Sequence, residues 1–174
     1  MPYIREIIED GHPTLRRVAK RVDPKEVLDP LFQQLIDDMF ETMYDAPGVG
    51  LAAPQVGISK RLFVMDIQED EHPPAVVINP KIELAEDEIE MTEGCLSVPG
   101  KVGEITRFRR FAVSGLDRDG HKVRIEGEDL LAQCLQHELD HLNGVLYIDK
   151  ARNIRDARTD EEREIAQTAS AEAS

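Results

Sequence analysis

Between Glu128 and Tyr147 the apolar residues Leu130, Leu131, Cys134, Leu135, Leu139 and Leu142 recur as on one face of a helix, not alternately as in a strand. The pattern predicts a helix over 128–147, with Gly144 as its stop signal. A second helix is predicted from Asp29-Pro30, a capping residue followed by a proline in the first turn. Leu31, Phe32, Leu35, Ile36, Met39, Phe40 and Met43 then form a broad apolar stripe of core residues. Pro47 ends this helix, because the residue before a proline is driven out of helical backbone.

Elsewhere the pattern is extended. Gly48–Gly57 reads as a glycine-rich loop in which backbone can approach a neighbour closely, and it leads into a buried-type strand, Arg61–Ile67. Ala75–Ile78 and Lys81–Leu84 read as short strands broken at Asn79-Pro80. Residues 101–117 and 121–126 form a hairpin about the turn Asp117-Arg118-Asp119-Gly120. His12, in Gly11-His12-Pro13, and His121, beside the turn, read as loop side chains. The expected architecture is α+β: antiparallel hairpins packed around the central helix, with a second, N-terminal helix. One domain is expected over 1–150. Residues 151–174 alternate in charge and bury little, so they are expected to be a frayed or disordered tail.

Charge narrows the partners. The net charge is −14, and from Asp66 to Glu93 ten acidic residues face one basic residue, Lys81. That balance disfavours DNA and an anionic membrane surface, both of which call for basic patches. Most of these carboxylates read as a solvated face, and so do Arg107, Arg109 and Arg110 as a strand face. No apolar run is long enough to span a membrane and the N-terminus has no apolar signal core, so a cytoplasmic protein with reduced cysteines is expected.

The chemistry centres on His137-Glu138-Leu139-Asp140-His141. Histidines four apart share a helix face and reach one metal ion, with Glu138 beside them to handle a proton. A catalytic site takes a third protein ligand and leaves a position open. Tyr147 stands where an extended HExxHxxGxxH pattern would put a third histidine. Glu161, Glu162 and Glu164 lie in the polar tail, and Cys95, in Glu93-Gly94-Cys95-Leu96-Ser97, is favoured because a thiolate binds borderline and soft divalent metals. On ligand chemistry alone a Cys-His-His set reads as zinc.

Gly48-Val49-Gly50-Leu51-Ala52-Ala53-Pro54-Gln55, Glu93-Gly94-Cys95-Leu96-Ser97 and Gln136-His137-Glu138-Leu139-Asp140-His141 resemble, in order, the three motifs of peptide deformylases. The resemblance spans about Tyr3 to about Asp149. It implies a hydrolase that removes the formyl group from the N-terminal methionine of nascent polypeptides. Cys95, His137 and His141 would hold one divalent metal, Fe2+ by resemblance and exchangeable for Zn2+, Ni2+ or Co2+. Such a metal lowers the pKa of its bound water to roughly 7, and Glu138 would serve as general base and then acid. The Gln55 amide and the Leu96 N–H would donate to the oxyanion. Val49, Gly50 and Gly94 would pair with the peptide backbone, and Leu130 and Cys134, two turns and one turn before His137, would line the methionine pocket. The stretch Lys101-Val102-Gly103 departs from the family pattern, and the long basic helix with which some members touch the ribosome is missing, although transient ribosome contact is expected. Two other readings compete: a small HExxH metallopeptidase with a tail glutamate as third ligand, and a silent binder of formyl-methionyl peptides.

Overall fold

The computed structural model describes residues 1–168; the end of the expected tail, 169–174, lies outside the described residues. β2 (Leu62–Met65) is buried along its whole length, and alternation sends its side chains to two different cores. Leu62 and Val64 pack with Phe32, Leu35, Ile36, Met39 and Met43 of α1 (Pro30–Asp45), and Phe63 and Met65 pack with Leu131, Leu135, Leu139 and Leu142 of α2 (Leu130–Leu142). Val76 and Ile78 against Val77 repeat the division on β3 (Ala75–Cys95). The helices therefore cover opposite faces of one antiparallel sheet, with α2 on the inner face that carries the histidines. Truncating a fully buried member such as Met39 or Leu135 to alanine would cost about 2–5 kcal/mol.

The sheet has six strands in the order β1 (Gly50–Ala52), β2, β3, β4 (Val98–Leu116), β5 (Lys122–Glu128), with β6 (Arg152–Asp156) on β4. Leu31 departs from the predicted stripe: it is 82% exposed, although Phe32 beside it in the same turn is buried in the core. Gly48–Gly57 is more regular than a loop, holding β1 and a short 3-10 helix, Ala53–Val56. Ala75–Ile78 and Lys81–Leu84 are not separate strands. β3 runs unbroken through them, with Asn79 in left-handed backbone (φ 54) and the irregularity between Ile78 and Lys81 absorbing the proline. Its acidic middle is solvated and paired across the sheet, Glu86 with Arg110 at 3.2 Å and Glu90 with Arg152 at 2.6 Å. Such exposed pairs contribute about 0–1 kcal/mol each.

The helix predicted over 128–147 is shorter. It ends at Leu142, and Gly144 (φ 74) follows, its ideal Cβ position 2.6 Å from the Arg16 carbonyl oxygen, so a side chain there would collide with backbone. The expectation of a frayed tail is also overturned through Thr168. β6 adds to β4, and α3 (Asp160–Thr168) docks through Ile165 and Ala166 onto Val102. Arg155 ties the two, reaching Glu162 at 2.7 Å and Glu104 at 2.6 Å. The segment has only a few apolar residues, but the sheet supplies the surface they lack.

Candidate metal centre

His137 and His141 project from one face of α2 toward the end of β3, where the two-residue turn between Cys95 and Val98 fixes the cysteine. The His141 Nε2 lies 3.1 Å from the His137 Nε2 and 3.4 Å from the Cys95 Sγ, and all three donor atoms fall within 4.8 Å of one another. Ligands at tetrahedral angles around an ion with bonds of about 2.0–2.3 Å are themselves about 3.3–3.6 Å apart. The donor set fits one divalent ion. His137 and His141 are nine-tenths or more buried and Cys95 is fully buried. Tyr147 is not a ligand candidate by position alone; its ring stacks 6.4 Å from that of His137 and packs with Cys95 and Ile105.

Behind the histidines lies a charged network that sequence reasoning missed. Glu93 Oε2 is 2.8 Å from His137 Nδ1. With the carboxylate ionised, Nδ1 donates, which turns the Nε2 lone pair toward the metal position. Arg107 clamps Glu93 through Nε at 3.0 Å and reaches Asp140 at 2.7 Å, and Lys150 meets the same Asp140 at 3.2 Å. Burial opposes the Glu93 carboxylate, but Arg107 and His137 outweigh it and hold its pKa down to about 2. Arg107 is thus not on a solvated strand face. It is 4% exposed, because its position in β4 lies under α2. The signal available in sequence was the rarity of an unpaired buried arginine, legible only once the hairpin partner is known.

Glu138 is buried and points at β1: an ideal Cβ on Gly50 would fall 2.5 Å from its Oε2, so glycine there admits the carboxylate. Burial above all pushes its pKa up to about 7, against the pull of His137. Its Oε1 has no hydrogen-bond partner within the protein among the described residues. Gln55 is fully buried; its Oε1 accepts from Ala52 N–H at 3.0 Å and its Nε2 donates to Ser97 Oγ at 3.2 Å, 3.9 Å from Cys95 Sγ. Two backbone bonds from the N-terminal segment brace this corner, Ile8 N–H to Gln55 O and Asp10 N–H to Ser97 O, each 2.8 Å. Leu96 occupies the turn after Cys95. The Cys134 Sγ–H donates to Val49 O at 3.7 Å, and Gly50 lies against both Cys134 and Glu138, while Leu130 packs on the same core as Cys134. Gly94 lies between Glu93 and Cys95 on β3. The tail glutamates are on or beside α3, and Glu162 is engaged by Arg155. Asp117, Asp119 and His121 also come within ligand distance of one another, but on the exposed turn.

Comparison with known proteins gives one family. A profile described as polypeptide deformylase matches residues 4–157. A peptide deformylase of Hahella chejuensis is 51% identical over 154 residues, covering 88% of this chain and 90% of that protein. A crystal structure of a peptide deformylase from Legionella pneumophila superposes with a TM-score of 0.80 at 46% identity, covering 94% of this chain and 91% of that one. That of a peptide deformylase from Synechococcus elongatus in complex with actinonin gives 0.79 at 47%, covering 86% and 79%.

Proposed function

The chain belongs to the polypeptide deformylase family, and from that membership we propose how its own residues remove the formyl group from the N-terminal methionine of newly made polypeptides. The convergence of Cys95 Sγ, His137 Nε2 and His141 Nε2 beside Glu138 carries the reading. A divalent ion held by these three would supply Lewis acidity, polarising the formyl carbonyl and acidifying the attacking water. Fe2+ is proposed by resemblance, although the donor set alone would suit zinc.

The remaining chemistry belongs to the protein. Glu138, with a pKa near neutrality, takes a proton from the attacking water and passes it to the departing amine nitrogen, which leaves as the free N-terminus while formate is released. Gln55 Nε2 and the Leu96 N–H donate to the developing oxyanion. For Gln55 this means exchanging its bond to Ser97 Oγ, a cost lowered because Ala52 N–H already fixes the amide by its other end. Val49, Gly50 and Gly94 offer backbone to an extended peptide, and Leu130 with Cys134 takes the methionine side chain. Nascent formyl-methionyl chains are the proposed partners, met in the cytoplasm with transient ribosome contact. Among the described residues no helix is long and apolar enough to cross a membrane.

The test is formate release from a formyl-Met tripeptide by protein purified without oxygen and loaded with Fe2+. Turnover that disappears on chelation is the expected result. Metal bound at one equivalent without formate release would replace this reading with the silent binder.

A further inference from the structure

Gly94 is where α3 meets the catalytic strand. An ideal Cβ there would fall 2.6 Å from the Ala166 Cα and 2.9 Å from the Ile165 carbonyl oxygen, so only glycine lets the helix lie this close. Glu93 and Cys95 send their side chains toward α2, where they meet His137 and His141. By strand alternation the residue between them faces the other way, and so α3 lies on the opposite face from the metal site. A groove of about 550 Å3 runs beside it, lined by Ile7, Ala46, Leu96, Pro99, Arg163 and Ala166 among others. Of the described lining residues Arg163 alone is charged, and its own pairing is a 3.3 Å contact to Asp160 between two exposed side chains. α3 begins beyond residues 4–157, which the family profile matches, although the Legionella pneumophila structure covers 94% of the chain and so reaches into it.

An extended peptide held against Val49, Gly50 and Gly94 turns successive side chains to opposite faces. With the methionine directed to Leu130 and Cys134 on the α2 side, the next side chain is directed to the groove walled by α3. We propose that α3 is a specificity element for the second residue of the substrate, Ala166 limiting its bulk and Arg163 favouring an acidic over a basic side chain. This rests on the deformylase reading above and adds to it a preference carried by this chain's own C-terminal helix.

The experiment compares kcat/KM for formyl-Met-Asp and formyl-Met-Lys tripeptides in metal-loaded full-length protein, Arg163→Glu, Arg163→Lys and a chain ending at Arg158, with metal content measured for each. The expected result is a preference for Asp in the full-length protein that Arg163→Lys retains. Arg163→Glu should lower the Asp-to-Lys ratio about three- to tenfold, the range for reversing one exposed ion pair, mainly through KM. The shortened chain should discriminate less and accept a bulkier second residue such as Trp. An unchanged ratio in Arg163→Glu overturns the proposal whether or not the shortened chain folds. Absence of turnover on every formyl peptide by the full-length protein overturns the deformylase reading and this proposal with it.

Discussion

Glu93 accepts a hydrogen bond from His137 Nδ1 at 2.8 Å while both of its oxygens engage Arg107. One carboxylate therefore orients a metal ligand and neutralises a buried guanidinium. Replacing it separates the two duties. Glu93→Gln keeps an acceptor for Nδ1 but leaves Arg107 without its main counter-charge. Metal affinity should fall about 10–100-fold, the usual loss when the group behind a ligating histidine is weakened, as read by competition with a chromogenic chelator. Stability should fall by about 3–5 kcal/mol, the range for breaking a buried ion pair from one side, measured by denaturant unfolding. Unchanged affinity would remove Glu93 from the metal site.

Cys95→Ser tests the third ligand. The substitution is nearly isosteric in a fully buried position, so the fold should persist while the affinity for a soft or borderline divalent ion collapses. Metal content after dialysis, with far-ultraviolet circular dichroism as the control, decides it. Full metal content in Cys95→Ser would favour the metallopeptidase reading, and its tail-glutamate ligand would have to leave α3, where Glu162 is held by Arg155.

Gln55→Ala removes a proposed oxyanion donor, and with it a 3.9 Å contact to Cys95 Sγ, but keeps all three proposed ligands in the chain. Activity should drop about 10²–10³-fold in kcat with metal content unchanged. A fall in KM-linked binding alone, with kcat intact, would assign Gln55 to scaffolding of the Ala52 and Ser97 corner instead.

Which of these features were legible in sequence follows from the range of the interactions that make them. α1 and α2 are written in local periodicity, and the His137, His141 and Glu138 face follows from helix geometry alone. The continuity of β3 was hidden because Asn79-Pro80 reads as a break. What carries the strand through is a left-handed Asn79 whose Oδ1 and Nδ2 bond the Val22 backbone, each at 2.8 Å, far off in sequence. Arg107 was misread because its partners come from another strand and from a helix, neither local. The docking of α3 was invisible for the same reason: Gly94 looks like one more glycine until Ala166 is placed against it.

The N-terminal segment that braces Gln55 and Ser97 is itself anchored by Asp38, and this gives a pH dependence. Asp38 is fully buried and accepts from Tyr3 N–H at 2.9 Å, Gln34 Nε2 at 2.7 Å and Arg5 Nε at 3.0 Å. Burial alone would raise its pKa, but these donors and the Arg5 charge outweigh it, and the net shift is downward. A carboxylate whose folded pKa lies below its unfolded value stabilises the fold fully above the unfolded value, about 3.9. That contribution is lost as pH falls through the lower folded value. Asp38→Asn should therefore cost about 1–3 kcal/mol at pH 7, or roughly 2–12 °C in Tm for a chain of this size. The difference from the unsubstituted protein should persist down to about pH 4 and narrow as Asp38 becomes protonated below it. Thermal unfolding at pH 7, 5, 4 and 3 reads this directly. A gap that stayed constant across that series would mean that Asp38 acts through shape and hydrogen bonding and that its charge adds nothing to the anchor.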